Sequence, residues 1–307
     1  MNKSRLPYRF IGLLLFVIGS ISIGVVLFRQ SKNSVIISPL PESQKKHTSI
    51  IAKIFTKKKD PDELKKRIQT VIDNRWVNYS VLVIDYVTDF SMGINESVIY
   101  TGASINKIPI LAALYYEVQH GNIDLDKSIT IQASDIQDYG TGSIRYSDPG
   151  TTYTVKTLAK LMISQSDNTA AYVLANYVVG LDTIQKLIES WGLTQTDMTN
   201  NKTSNKDMSL LFEKIYNGKV TNQSYTQEIL AFLKETDFED RLPALLPKDV
   251  IVYHKIGTEQ GVIHDVGIIE QGKIKYYIGV LTSDITDDNE TTKIIAEISK
   301  AVYDFMK

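Results

Sequence analysis

Apolar and polar positions fall into three regimes along this chain. The first is an unbroken apolar run from Phe10 to Phe28, with Lys3, Arg5 and Arg9 ahead of it. As a helix it reaches roughly 28 Å, the thickness of a bilayer's hydrocarbon core, so the pattern predicts a transmembrane anchor over 10–28. The flanking charges place residues 1–9 in the cytoplasm and the remainder outside, single-pass in the cytoplasmic membrane. A cleaved signal peptide, giving a secreted protein, is the alternative, although no A-x-A site follows. The second regime, 29–60, is rich in Ser, Lys and Pro and closes on a lysine run at Lys57–Lys59. It buries too little apolar surface to offset ordering and reads as a flexible linker.

The third regime, 61–307, is periodic. Pro61 with DELKKRIQTVIDN predicts a helix ending near Asn74. Ser80–Tyr86 and Ser97–Tyr100 read as strands, with VTDFSMG as the turn between them. A long middle follows with helical spacing at Ile108–Gln119, Val155–Ser164, Thr169–Val179, Leu181–Trp191 and Met208–Tyr216. Alternation returns at Val250–Lys255, Val262–Glu270 and Lys273–Leu281, and Glu290–Met306 closes with a helix. The economical arrangement is α+β: one antiparallel five-stranded sheet built from both ends of the chain, flanked by helices, with an all-helical subdomain inserted. A functional cleft is expected between the two parts.

Composition removes several function classes. A formal net charge of -1 gives no basic excess for nucleic acid. With no cysteine there is no disulfide, thiolate ligand or thiol nucleophile. The histidines, His47, His120, His254 and His264, lack ligand spacing, so neither a metal nor another cofactor is expected.

Three motifs carry the chemistry: Ser104-Ile105-Asn106-Lys107, Ser166-Asp167-Asn168, and Lys255-Ile256-Gly257-Thr258. At i and i+3 of a helix, Ser104 and Lys107 share a face, so an amine stands within reach of a hydroxyl. A serine attacks well only when a neighbouring base takes its proton, and a lysine serves as that base only if its pKa falls. Burial lowers it, and so does a second cation such as Lys255. The helix IPILAALYYEV is apolar almost all round and belongs in the interior; Pro109 implies an irregular first turn. Taken singly, each motif has an ordinary reading. S-x-x-K occurs by chance, S-D-N is a turn or cap, and K-x-G is a strand residue beside a bend. Their joint order is the informative feature.

That ordered trio, with K-T-G as its third member, characterises class A β-lactamases and penicillin-binding proteins. From about Pro61 onward the chain resembles this family of penicillin-recognising serine hydrolases. Thr101–Leu114 is similar to the family's nucleophile helix, and Leu158–Val178 to its S-D-N segment. The resemblance implies Ser104 as nucleophile and Lys107 as its base. Ser166, helped by Lys255, would relay a proton to the leaving nitrogen. Asn168 would hold the substrate amide and Lys107, and Asp167 would fix the loop. The backbone N–H groups of Ser104 and Thr258 would form an oxyanion hole, with Gly257 and Thr258 along the bound substrate. Tyr146 either lines the cleft or is a surface residue; His264-Asp265 either flanks a carboxylate pocket or is a structural pair. The substrate implied is a small-molecule β-lactam or a peptidoglycan stem peptide, met by a monomer outside the membrane.

Two departures qualify the resemblance. The third motif reads K-I-G, so Ile256 lacks a hydroxyl that Thr258 would supply from the same strand face. The family's E-x-x-L-N loop has no counterpart glutamate between Trp191 and Leu211. Asp197 is the free acid there, either a base or a turn residue; Asp207 reads as part of a capping box with Ser204. Losing a deacylation base costs roughly 10²–10⁴-fold. The expectations therefore include a slow lactamase, a cell-wall D-Ala peptidase or esterase, and a silent wall-binding module.

Overall fold

Leu64, Ile68 and Ile72 recur every four residues and are all buried, which is why the first described segment is a helix with one apolar stripe. The computed structural model describes residues 59–307. The expected anchor at 10–28 and linker at 29–60 fall outside these residues, apart from Lys59 and Asp60. Among the described residues no helix is long and apolar enough to cross a membrane. The order is α1 (Pro61–Ile72), β1 (Asn78–Asp85), β2 (Ser91–Ile94), β3 (Ile99–Thr101), α2 (Lys107–Gln119), β4 (Ser128–Thr130) and β5 (Thr152–Thr154). Then come α3 (Val155–Ser164), α4 (Asn168–Val173), α5 (Leu181–Ser190), β6 (Lys202–Ser204), α6 (Asn205–Tyr216), α7 (Gln223–Lys234), β7 (Ile251–Glu259), β8 (Val262–Gln271), β9 (Ile274–Ser283) and α8 (Asp288–Met306).

The main sheet is antiparallel in the order β2-β1-β9-β8-β7. It joins the early and late parts of the described residues: Val81 pairs with Val280 and Ile84 with Tyr277. Alternation sends Val81 and Val83 to one face, under α1 and α8, and Leu82 to the other, toward the helical part. Two cores result, one on each side of the sheet. Each fully buried Leu or Ile contributes about 2 kcal/mol to them.

Two expectations about strands need correction. Ser97–Tyr100 does not supply the second strand of the main sheet; β3 pairs with β6 instead, as Tyr100 with Thr203. The second strand is β2, from the segment read as a turn. Met92 and Ile94 are buried and Ser91 and Gly93 exposed, an alternation too short to stand out.

A candidate active site between sheet and helices

Ser104 lies in a 3₁₀ turn, Ala103–Asn106, that runs into α2 at Lys107. Pro109 therefore sits in the first turn of α2, where its missing N–H has no intrahelical partner to lose. Ala103 takes a left-handed φ of 46°, a conformation that costs about 1–3 kcal/mol unless its surroundings enforce it. Here they do: Gly102 N–H donates to Asn201 O at 2.7 Å, and Asn106 Nδ2 donates to Asn201 Oδ1 at 2.8 Å. Asn201 was not singled out from the sequence. The Asn200-Asn201 pair was the available signal, since asparagine tolerates the left-handed φ of 50° found at Asn201.

Lys107 is buried, and its amine lies at 2.5 Å from Ser166 O, 3.2 Å from Ser166 Oγ and 2.7 Å from Asn168 Oδ1. It makes no hydrogen bond to Ser104. Burial brings its pKa from 10.5 down to about 7, against an opposing pull from the Asp167 carboxylate. The expected lowering of Lys107 by a second cation is not seen, and the repulsion between the two amines shows at the other lysine instead. Lys255, fully enclosed on β7, is lowered well below its ordinary value by burial and then by repulsion from Lys107. Its amine donates to Ile256 O at 3.3 Å and stands 5.9 Å from the centre of the Phe238 ring.

The S-D-N segment joins α3 to α4. Ser166 is again left-handed, at φ 54°. Asp167 accepts from Ala170 N and Ile144 N, both at 2.9 Å, so it caps α4 and ties the preceding loop down. That loop carries the glycines of Asp138–Ser143. A Cβ on Gly142 would stand 2.2 Å from Asp167 Oδ2, and one on Gly140 2.5 Å from Asn168 Nδ2, so only glycine lets the loop lie here. Asn168 Nδ2 donates to Tyr139 O at 3.0 Å.

A cleft of about 560 Å³ opens over these groups. Ser104, Lys107, Asn168 and Thr258 line it, with Asn106, Asn201 and an apolar wall that includes Ile110, Leu181 and Met198. Tyr146 does not line it: the side chain is 80% exposed and stacks with Arg145, while Tyr139 and Tyr172 are the aromatics that do. Asp197 does not line it either. Its carboxylate accepts from Asn200 N at 2.9 Å and Asn200 Nδ2 at 2.7 Å, which holds its pKa low and closes a turn. Among the lining residues Glu259, exposed at the end of β7, is the one carboxylate.

Arg241 is the other group the sequence did not reveal, because it stands in an irregular stretch without a motif. Its guanidinium is buried and donates to Gly257 O at 3.1 Å, His264 O at 2.6 Å and Thr258 Oγ1 at 2.7 Å. With Arg241 supplying the donor to Thr258, the Thr258 hydroxyl keeps its own proton for a ligand. Strand alternation separates His264 from Asp265. His264 Nδ1 accepts from Thr282 N and its Nε2 donates to Thr101 O; burial holds it neutral, with its pKa down at about 4. Asp265 turns to the other face and accepts from His254 and Leu242 N. They are structural, but not a pair.

A serine at the head of a buried helix, a lysine at lowered pKa one turn on, and a second lysine on an adjoining edge strand define a serine hydrolase. Residues 63–306 match the model of the beta-lactamase enzyme family, and the chain belongs to that family, in its class A-like branch. The beta-lactamase VEB-1 of Pseudomonas aeruginosa is 26% identical over 273 residues, covering 80% of this chain and 90% of that one. The beta-lactamase of Sphaerobacter thermophilus DSM 20745 superposes with a TM-score of 0.76 at 23% identity, over 80% and 98% of the two chains. A PBP-A variant, solved as an acyl-enzyme complex with penicillin G, gives 0.73 at 25% identity over 78% and 94%.

Proposed function

We propose that the protein is acylated on Ser104 by β-lactams and releases the acyl group slowly. The observation that carries this is the Lys107 amine, buried at lowered pKa and bonded to Ser166 and Asn168 in the cleft that Ser104 lines. Neutral Lys107 takes the Ser104 proton as Oγ attacks the lactam carbonyl carbon. The carbonyl electrons move to oxygen, where the N–H groups of Ser104 and Thr258 would each contribute about 2.7–4 kcal/mol. As the C–N bond breaks, the lactam nitrogen takes its proton from Ser166, which Lys107 reprotonates. A carboxylate on the substrate would meet Thr258 Oγ1–H, with Arg241 and Lys255 supplying positive charge behind it.

Slow release follows from the cleft wall. It presents Ile110, Leu181 and Met198, and its one carboxylate, Glu259, lies at the end of β7. Among the residues that line the cleft no acid adjoins Lys107 to activate a water, and the nearby Asp167 carboxylate, outside that lining, is taken up by Ala170 N and Ile144 N; release is left without about 10²–10⁴-fold of assistance. The reading includes the Phe10–Phe28 anchor, with the enzyme on the outer side of the cytoplasmic membrane; the apolar length and preceding cations support it. Intact mass followed after adding benzylpenicillin should show one adduct that persists for many minutes. An adduct of equal yield on Ser104→Ala, or complete turnover within seconds, would sink the proposal.

A further inference from the structure

Behind β7, on the face away from the cleft, lies a polar cluster that the chemistry above does not use. His254 is 1% exposed and Asp265 fully buried, in an otherwise apolar layer. His254 Nδ1 stands 2.9 Å from Asp265 Oδ1 and 3.0 Å from Oδ2. Its Nε2 stands 3.2 Å from Thr236 Oγ1 and 3.7 Å from Glu239 Oε1. Asp265 Oδ2 also accepts from Leu242 N at 3.0 Å. One buried pair thus grips both ends of the segment 236–242: His254 at Thr236 and Glu239, Asp265 at Leu242.

That segment is the one that feeds the cleft edge of β7. Phe238 lies beside the Lys255 amine, and Arg241 donates to Gly257 O and Thr258 Oγ1. It has no helix or strand of its own to fix it. Room for the grip is built into the sheet. Gly267 pairs with His254 in register, and a Cβ there would stand 2.7 Å from His254 Cβ and 2.4 Å from Tyr253 O. An imidazole between a carboxylate and a hydroxyl suits two simultaneous bonds at a fixed spacing, and the cost of burying it is met only when both are made.

We propose that His254 and Asp265 are positioning residues that hold segment 236–242, and through it Arg241, for recognition of a substrate carboxylate. This rests on the acylation reading for its kinetic test, though not for its structural one. The structural test is hydrogen exchange on the intact protein. In His254→Ala, amides of 237–242 should exchange about tenfold faster or more while β8 and β9 keep their protection. Thr236→Val, which removes the hydroxyl without touching the sheet, should give a smaller change in the same place. Unchanged protection of 237–242 in both variants, or equal loosening of the whole sheet, overturns the inference.

The kinetic test compares acylation by benzylpenicillin and by its uncharged methyl ester. The ratio of the two rate constants should fall about tenfold in Arg241→Ala, severalfold in His254→Ala, and no further in the double variant than in Arg241→Ala. A ratio unmoved in His254→Ala while Arg241→Ala lowers it refutes the positioning role. If neither compound acylates the wild type, the function proposed above fails, and hydrogen exchange alone decides this inference.

Discussion

The base role proposed for Lys107 requires a neutral amine, so the rate of acylation should report its protonation. An exposed lysine at pKa 10.5 holds a neutral fraction of about 3 in 10⁴ at pH 7. Burial brings Lys107 to about 7, which makes roughly half of the molecules competent at that pH. The competent fraction is then about one-tenth at pH 6 and nine-tenths at pH 8. The second-order acylation constant for a fluorescent penicillin, measured by stopped flow from pH 5.5 to 9, should rise about tenfold per unit below 7 and level off above 8. Because Asp167 pulls this pKa upward, Asp167→Asn, which keeps a capping oxygen, should move the inflection below 7. A profile flat across the range, or one still climbing at pH 9 toward an inflection near 10, would refute the assignment of Lys107 as the base.

Three further outcomes are expected. A Cβ at Gly257 meets Gly102 O and Ile105 Cγ2 at 3.2 Å, so Gly257→Ala should push β7 off the nucleophile turn and slow acylation roughly tenfold, with the melting temperature checked alongside. Asp197→Asn should leave the lifetime of the acyl-enzyme, read by intact mass, within about twofold, because that carboxylate serves only its own turn. Ile68→Ala empties a fully buried site between α1 and the sheet and should cost about 2–5 kcal/mol in urea unfolding.

Much of this was legible in the sequence because strong periodicity survives tertiary context. The run over 155–164 forms a helix with the expected limits, Val155–Ser164, and the paired ends of the sheet follow from alternation near both termini. Of the strands of three or four residues only β3 was legible, at Ser97–Tyr100, and its partner was not. β2, β4, β5 and β6 form because a partner strand waits for them, not because their own pattern demands it. The helix Gln223–Lys234 was missed although Asn222 caps it, and half of the expected capping box at Ser204 is absent. Ser204 accepts from Asp207 N, but the Asp207 side chain turns to Gln195 N and Thr196 Oγ1. At the site, residues inside motifs could be named in advance. Asn201 and Arg241 act from irregular backbone, where only the assembled contacts give them meaning.

Strand order has a consequence for how the chain is made. β9, the last strand of the main sheet in chain order, lies in its middle, and both β1 and β8 need it as a neighbour. Until β9 is available, β1 and β2 form only a two-stranded hairpin, which is marginal alone, and β7 and β8 form another. Joining them closes a loop of nearly the whole domain, which is slow and entropically costly. A nascent chain that ends before Ile274 therefore has Ser104, both lysines and the S-D-N segment, yet lacks the strand that joins the halves of its sheet. Activity should appear only once β9 has been made, all at once.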